Sequence, residues 1–251
     1  MKLLSVALSC GLYFSAFFTS SALAADIPAR VDISYSITSG GLEGEVNDTL
    51  QIKREKGMRS YAISSEARAK GMLALTQPEP IMLGSAGSIT AEGSLRPSRF
   101  SDQHGKKIPK VAIFDWNKKL LTLQHKRGEE QKALPANIQD RLSLHYSFMF
   151  SPAPGKVIDL YVTDGKRLES VRYTVGKETL DTPMGKLETI VLTKQTETDG
   201  ERDRKIWLAV DHHMLPVRIV ATEKMGIVTD QMVTKISYGE PANSLKQGRL
   251  Q

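Results

Sequence analysis

The sequence predicts a mainly β single domain, a long antiparallel meander forming a curved sheet, half-barrel or barrel-like, with one principal amphipathic helix. Three observations carry this expectation. Apolar and polar residues alternate at period two through most of the chain, which places the apolar ones on one face of a strand. Turn residues punctuate these runs at nearly regular intervals, as expected for consecutive antiparallel strands. One segment, Ile138 to Phe150, switches to spacings of three and four.

The first element is not part of that domain. Met1 and Lys2 precede an apolar and small-residue run from Leu3 to Phe18, followed by Ser20, Ser21 and Ala22-Leu23-Ala24. This pattern predicts a secretory signal peptide over residues 1–24, cleavage before Ala25 and a periplasmic protein. The run is too short to span a bilayer and no later segment approaches that length, so the mature chain is expected to lack a transmembrane segment. The single cysteine, Cys10, lies inside the run. The mature chain is therefore expected to fold without disulfides, which a domain of its length can do.

Residues 25–240 read as one antiparallel β domain. Val31, Ile33, Tyr35 and Ile37 alternate with polar residues, and the style continues at Tyr61-Ile63, Val111-Ile113 and Leu121-Leu123. Later runs are Ile158-Leu160-Val162, Leu168 to Val175, Leu187 to Val191, Ile206-Leu208, Val217-Ile219 and Ile227 to Ile236. Gly40-Gly41, Gly57, Asp164-Gly165, Gly176, Pro183-Met184-Gly185, Asp199-Gly200 and Gly226 supply turns. The helix is expected over Ile138 to Phe150, with Leu142, Tyr146 and Met149 on its apolar stripe. Asn137 is its cap, Asp140 lies in its first turn, and Pro152 and Pro154 end it. It is expected to cover the sheet's apolar face or plug an open end. Residues 241–251 lack periodicity and read as a frayed tail.

Charge narrows the partners. Lys and Arg total 34 against 28 Asp and Glu, and the aromatic content is 6%. Basic clusters at Lys106-Lys107-Lys110, Lys118-Lys119, Lys126-Arg127 and Arg202-Arg204-Lys205 read as solvated turns and strand-edge guards. Nucleic-acid binding wants a basic stripe with aromatic platforms, and none is evident. A lipid or an anionic envelope polymer is the partner class that remains. Oligomeric state is not readable.

Constellations for catalysis or cofactors are weak, so no catalytic, cofactor or metal residue is assigned and no cofactor is expected. Gly84-Ser85-Ala86-Gly87-Ser88 has the wrong central residue for a nucleophile elbow. His104, His125, His145, His212 and His213 show no metal-binding spacing, and His212-His213 with Asp211 reads as a solvated turn. Glu43, Glu45 and Asp48 would have to face each other across a cleft to serve as paired acids. Trp116 and Trp207 read as core anchors whose indole N–H groups find a carbonyl, the rival being a stacking platform in a groove. Asp115 reads as the start of a turn.

The chain resembles the bacterial envelope family known as domain of unknown function 3108. The resemblance rests on Tyr35-x-Ile37 with Gly40-Gly41-Leu42-x-Gly44-Glu45, Gly93-x-Leu95-x-Pro97, Phe114-Asp115-Trp116, and Gln139-Asp140-x-Leu142-Ser143. It continues through Gly176-x-Glu178-x-Leu180-x-Thr182-Pro183-x-Gly185-Lys186-Leu187, Ile206-Trp207-Leu208-Ala209 and Leu215-Pro216-Val217-Arg218-Ile219. It implies an exported antiparallel β protein without an assigned activity. Two function classes follow: a non-catalytic module that binds or carries an apolar or envelope-derived ligand, and a loop-built hydrolase or isomerase acting on cell-envelope material. The carrier form expects a cavity for an acyl chain between the sheet and its one covering helix.

Overall fold

A computed structural model of the protein describes residues 27–76, 78–151, 153–195, 203–222 and 226–239. The expected signal peptide, Cys10, the Asp199-Gly200 turn and the 241–251 tail lie outside the described residues.

Two meanders build one sheet. The first comprises β1 (Arg30–Ser39), β2 (Leu42–Glu55), β3 (Met58–Ala69), β4 (Ile81–Ile89), β5 (Leu95–His104), β6 (Lys110–Asp115), β7 (Leu120–His125) and β8 (Gly128–Ala133). The second comprises β9 (Ile138–Asp140), β10 (Val157–Thr163), β11 (Leu168–Thr182), β12 (Gly185–Lys194), β13 (Arg204–Ala209), β14 (Leu215–Thr222) and β15 (Val228–Gly239). Helix α1 (Gly71–Thr76) links β3 to β4, and α2 (Ser143–Tyr146) runs into a 3-10 turn at Ser147–Met149. The strand order is β8-β7-β6-β5-β4-β3-β2-β1-β15-β14-β13-β12-β11-β10-β9, so β1 and β15 pair and join the two halves.

The far ends of this sheet curl toward each other. β9 packs against β5, where Gln139 Nε2 donates to the Leu95 carbonyl at 2.8 Å. The β10–β11 turn rests on the start of β6. At its Gly165, with φ +79°, an added Cβ would lie 3.0 Å from Lys110 Cβ, so the close approach favours glycine.

The expected helix is shorter than its pattern. Ile138 to Asp140 form a strand, paired parallel with Tyr161 to Thr163. Asp140 takes the capping role expected of Asn137: Oδ1 accepts from the amides of Leu142 at 2.9 Å and Ser143 at 2.7 Å, and the Asp140 amide donates to Ser143 Oγ. Asn137 instead donates its side-chain amide to the Asp159 carbonyl. Helix formation before residue 141 loses because Ile138 is buried equally well as a strand residue and gains ladder bonds there.

Downstream, Leu142, Tyr146 and Met149 face the main core with Val31, Ile33, Tyr35, Leu50 and Phe100. Leu144 and Phe148 face a second cluster with Leu160, Tyr173, Ile190, Leu192, Ile206 and Leu208. The helical segment is thus buried on two sides. At its end Phe150 meets Gly93, where an added Cβ would lie 1.6 Å from the Phe150 carbonyl oxygen.

Candidate functional site

Registers fix which turns share an end of the sheet. Ala69 pairs near Gly44, Ile81 with His104, Thr38 with Asp230, and Arg204 with Ala221. The β1–β2, β5–β6, β7–β8, β10–β11 and β14–β15 turns and the β3–β4 link therefore all lie at one end. Residues 104–110, 125–128 and 164–167 are brought together there.

Asp102 is the centre of that end. It is 1% exposed. Lys110 Nζ donates to its Oδ2 at 2.6 Å, and Arg141 lies 3.6 Å from the same oxygen. His104 Nε2 approaches Oδ1 to 2.7 Å, at an angle outside hydrogen-bond geometry. Burial works against the charge of Asp102, and His104, Lys110 and Arg141 outweigh it, holding the carboxyl at about 2.

Two clefts flank this carboxylate. One, of about 520 Å³, is lined by Lys107, Ile108, Lys126, Arg127 and Lys166 besides the Asp102 group and His125. The other, of about 350 Å³, is lined by Arg141, Arg167, Lys194 and Arg204, with Asp164, Glu169 and Asp203 among them. The second, which Lys110 also lines, sets five Lys and Arg side chains against three described acids. In the first, Asp102 is the sole acid among the described lining residues, facing five Lys and Arg side chains. Lys107, Lys126, Arg127 and Lys166 have no ion-pair partner among the described residues. Cations converging on a depression without matching acids raise the local concentration of anions. Among the described residues, neither cleft is lined by a serine or cysteine, and no group of three metal-ligating side chains occurs.

Among the described residues the interior holds two other carboxylates, both without an ion-pair cation. Asp140 also accepts from Ser85 Oγ at 2.6 Å, and Ser85 contacts Tyr61 Oη at 3.2 Å. Asp48 accepts from Tyr146 Oη at 2.5 Å, and Tyr35 Oη donates to the Pro216 carbonyl at 2.8 Å. Burial raises both acids, with the Ser65 and Tyr146 hydroxyls partly offsetting it at Asp48, which is pushed up to about 6. These bonds tie the helical segment to β2 and β4.

Other singled-out residues disperse. Asp48 points inward while Glu43 and Glu45 point outward, and Glu45 pairs with Lys70 at 2.9 Å, so the three do not form a paired-acid site. His212 Nδ1 lies 3.1 Å from Tyr238 Oη, and His213, at φ +53°, packs edge-on to the same ring. His145 is buried at Nε2 without a hydrogen-bond partner, and burial and the nearby Arg204 and Arg141 charges keep it neutral. Asp115 accepts from the Lys118 amide, as expected of a turn. Trp207 is buried, with its indole N–H on Glu178 Oε2 at 3.0 Å. Trp116 donates to the Pro97 carbonyl at 2.6 Å and is only partly buried, with the Arg96 guanidinium 4.5 Å from its ring centroid. Its face is thus covered by a cation.

Of the basic clusters, Lys106-Lys107-Lys110 and Lys126-Arg127 meet at the Asp102 end, whereas Lys118-Lys119 lie at the other. Arg202 lies outside the described residues. Asp102, Arg141 and Lys166 were not legible as members of a site. The available signal was parity: alternate turns of a meander share an end.

The profile of the family described as protein of unknown function (DUF3108) matches residues 34–233, and the chain belongs to that family. No curated protein matches the chain. Among solved structures it is similar to a β-barrel-like protein of domain of unknown function DUF1849 from Brucella abortus. The identity is 9%, over 85% of this chain and 99% of that one, with a TM-score of 0.49. A DUF1329 family protein from Desulfovibrio piger shares 12% identity over 90% of this chain and 93% of that one, with a TM-score of 0.25.

Proposed function

We propose that this protein is an exported periplasmic binding module whose cationic cleft at the Asp102 end takes an anionic, phosphate- or carboxylate-bearing component of the cell envelope. The observation that carries the reading is the gathering of Lys107, Lys126, Arg127 and Lys166, without an ion-pair partner among the described residues, around a 520 Å³ cleft also lined by Asp102, which buttresses Lys110, His104 and Arg141. Export is supported by the apolar run and small-residue site of residues 1–24. Binding at the surface replaces the carried acyl chain, since Leu142, Leu144, Tyr146 and Phe148 pack the space beside the sheet.

Titration with inorganic polyphosphate, a soluble multivalent anion, tests the cleft. Wild-type protein is expected to bind it with an affinity that falls as salt rises. Replacing Lys126 and Arg127 by Ala is expected to weaken binding about tenfold or more, because each charge-assisted hydrogen bond contributes ~1.5 kcal/mol or more. Replacing Lys118 and Lys119 at the opposite end is expected to leave it unchanged. Equal losses from both pairs would reduce the reading to net charge alone. N-terminal sequencing of periplasmic material tests export: a start at Ala25 supports it.

A further inference from the structure

We propose that the hairpin-tip end of the molecule docks on an anionic lipid bilayer, through a rim on which exposed apolar tips run into unpaired cations. Going round the sheet in strand order, the β14–β15 turn carries Ile227 and Val228, β1–β2 carries Leu42, the β3–β4 link carries Leu75 and Ile81, and β5–β6 carries Ile108. Leu75 is 82% exposed and Ile108 68%. The next turn along, β7–β8, presents Lys126 and Arg127, and Lys166 follows on β10–β11.

These tips form one arc. The Gly40 amide donates to the Val228 carbonyl at 3.2 Å, Lys106 on β5–β6 pairs with Glu79 of the β3–β4 link at 3.3 Å, and Lys110 meets Gly165 of β10–β11. At the opposite end, exposed Met58, Val157, Val210 and Tyr238 sit on separate segments. The intervening β4–β5, β6–β7 and β11–β12 turns show no exposed large apolar side chain among the described residues.

Four neighbouring tips that each leave a large aliphatic group in water ask for a partner. A bilayer interface suits their arrangement: separate protruding tips enter the boundary between headgroups and acyl chains, while Lys and Arg beside them meet anionic headgroups. A second copy fits less well. A two-fold contact at this end would set the unpaired cations near one another.

The experiment uses the full chain and extruded vesicles of phosphatidylcholine, alone or mixed with phosphatidylglycerol, in a sedimentation assay. Wild type is expected to sediment with the anionic vesicles and to remain in solution with the neutral ones. Leu75→Ser combined with Leu42→Ser is expected to weaken partitioning about tenfold or more, since each removed tip forfeits the burial of a large aliphatic side chain. It should leave polyphosphate binding intact. Lys126→Ala with Arg127→Ala is expected to weaken both, about fivefold per charge for the vesicles.

Vesicle binding through the apolar run of residues 3–18 would persist in the tip variant and would overturn the proposal, as would absence of wild-type binding. Analytical ultracentrifugation covers the other occupant: a wild-type dimer that the tip variant abolishes assigns the rim to a second copy and overturns the bilayer. Ile227→Ser, on a different tip, repeats the test should the double variant unfold. Loss of polyphosphate binding with vesicle binding retained would defeat the cleft reading alone.

Discussion

Asp140 and Asp102 are both almost wholly buried, yet the chain treats them in opposite ways. Asp140 is surrounded by neutral donors, namely the Ser85 hydroxyl and two backbone amides, and burial raises its pKa. Asp102 sits at the mouth among Lys110, His104 and Arg141, which hold it at about 2. The first is a fastening: its donors come from a strand and from the helical segment it starts. The second organises charge, since its partners are each about a third exposed and line one or both of the flanking clefts. Burial alone therefore does not tell a structural acid from one placed at a site. The identity of the donors does.

The strongest way to break the comparison is Asp140→Ala. It leaves the Ser85 hydroxyl and the Leu142 and Ser143 amides without their acceptor, and a loss of about 3 kcal/mol in urea unfolding is expected. A loss below about 1 kcal/mol would mean that the helical segment is held by apolar packing alone.

Asp48→Asn probes the same interior with less disruption. Asp48 has a folded pKa of about 6 against an ordinary 3.8. Its contribution is therefore fully present below the ordinary value and is lost as pH rises through about 6. The stability of wild type relative to Asp48→Asn is expected to fall by about 2 kcal/mol between pH 4 and pH 7. A difference that stays flat over that range would sink the assignment.

Asp102→Asn reverses the sign. With the folded pKa near 2, the contribution of Asp102 is present above the ordinary value of 3.8 and is lost as pH falls through 2. The variant is expected to be less stable at pH 7 by roughly 1 to 2 kcal/mol, a range reduced by the solvent that screens its partly exposed partners, and to converge with wild type in acid. Thermal melts at several pH values compare the two acids directly. The smallest effect is expected for Lys166→Ala, within about 0.5 kcal/mol of wild type in stability, because no ion pair among the described residues holds that side chain and exposed changes away from such features are tolerated. Any weakening of polyphosphate binding in it would then come from the cleft.

The strands were legible because their inward positions repeat every second residue: Val31, Ile33 and Tyr35 are all buried in the structure. The helix was overextended because Ile138 and Leu142 satisfy a spacing of four whether or not a helix joins them. A three-residue strand followed by a cap leaves the same trace. The cleft was hidden for a different reason. Asp102, Lys126, Arg141 and Lys166 come from separate segments, and each alone has the look of an ordinary turn or strand-edge residue. Only the curl that sets β9 and the β10–β11 turn beside β5 and β6 makes them neighbours.

The pairing of β1 with β15 carries a consequence for how the molecule forms. Its partners, such as Ile33 and Ile236, are about two hundred positions apart along the chain. Joining them closes a loop that contains nearly every other strand, and a contact of such length is entropically expensive until both meanders have ordered. During synthesis the outer edge of β1 therefore waits, unpaired, for the last strand to arrive. Refolding after dilution from denaturant is expected to be slow, with the β1–β15 seam among the last pairings to gain protection from hydrogen exchange. Until then, the open edge of β1 is the place where one unfinished chain can pair with another.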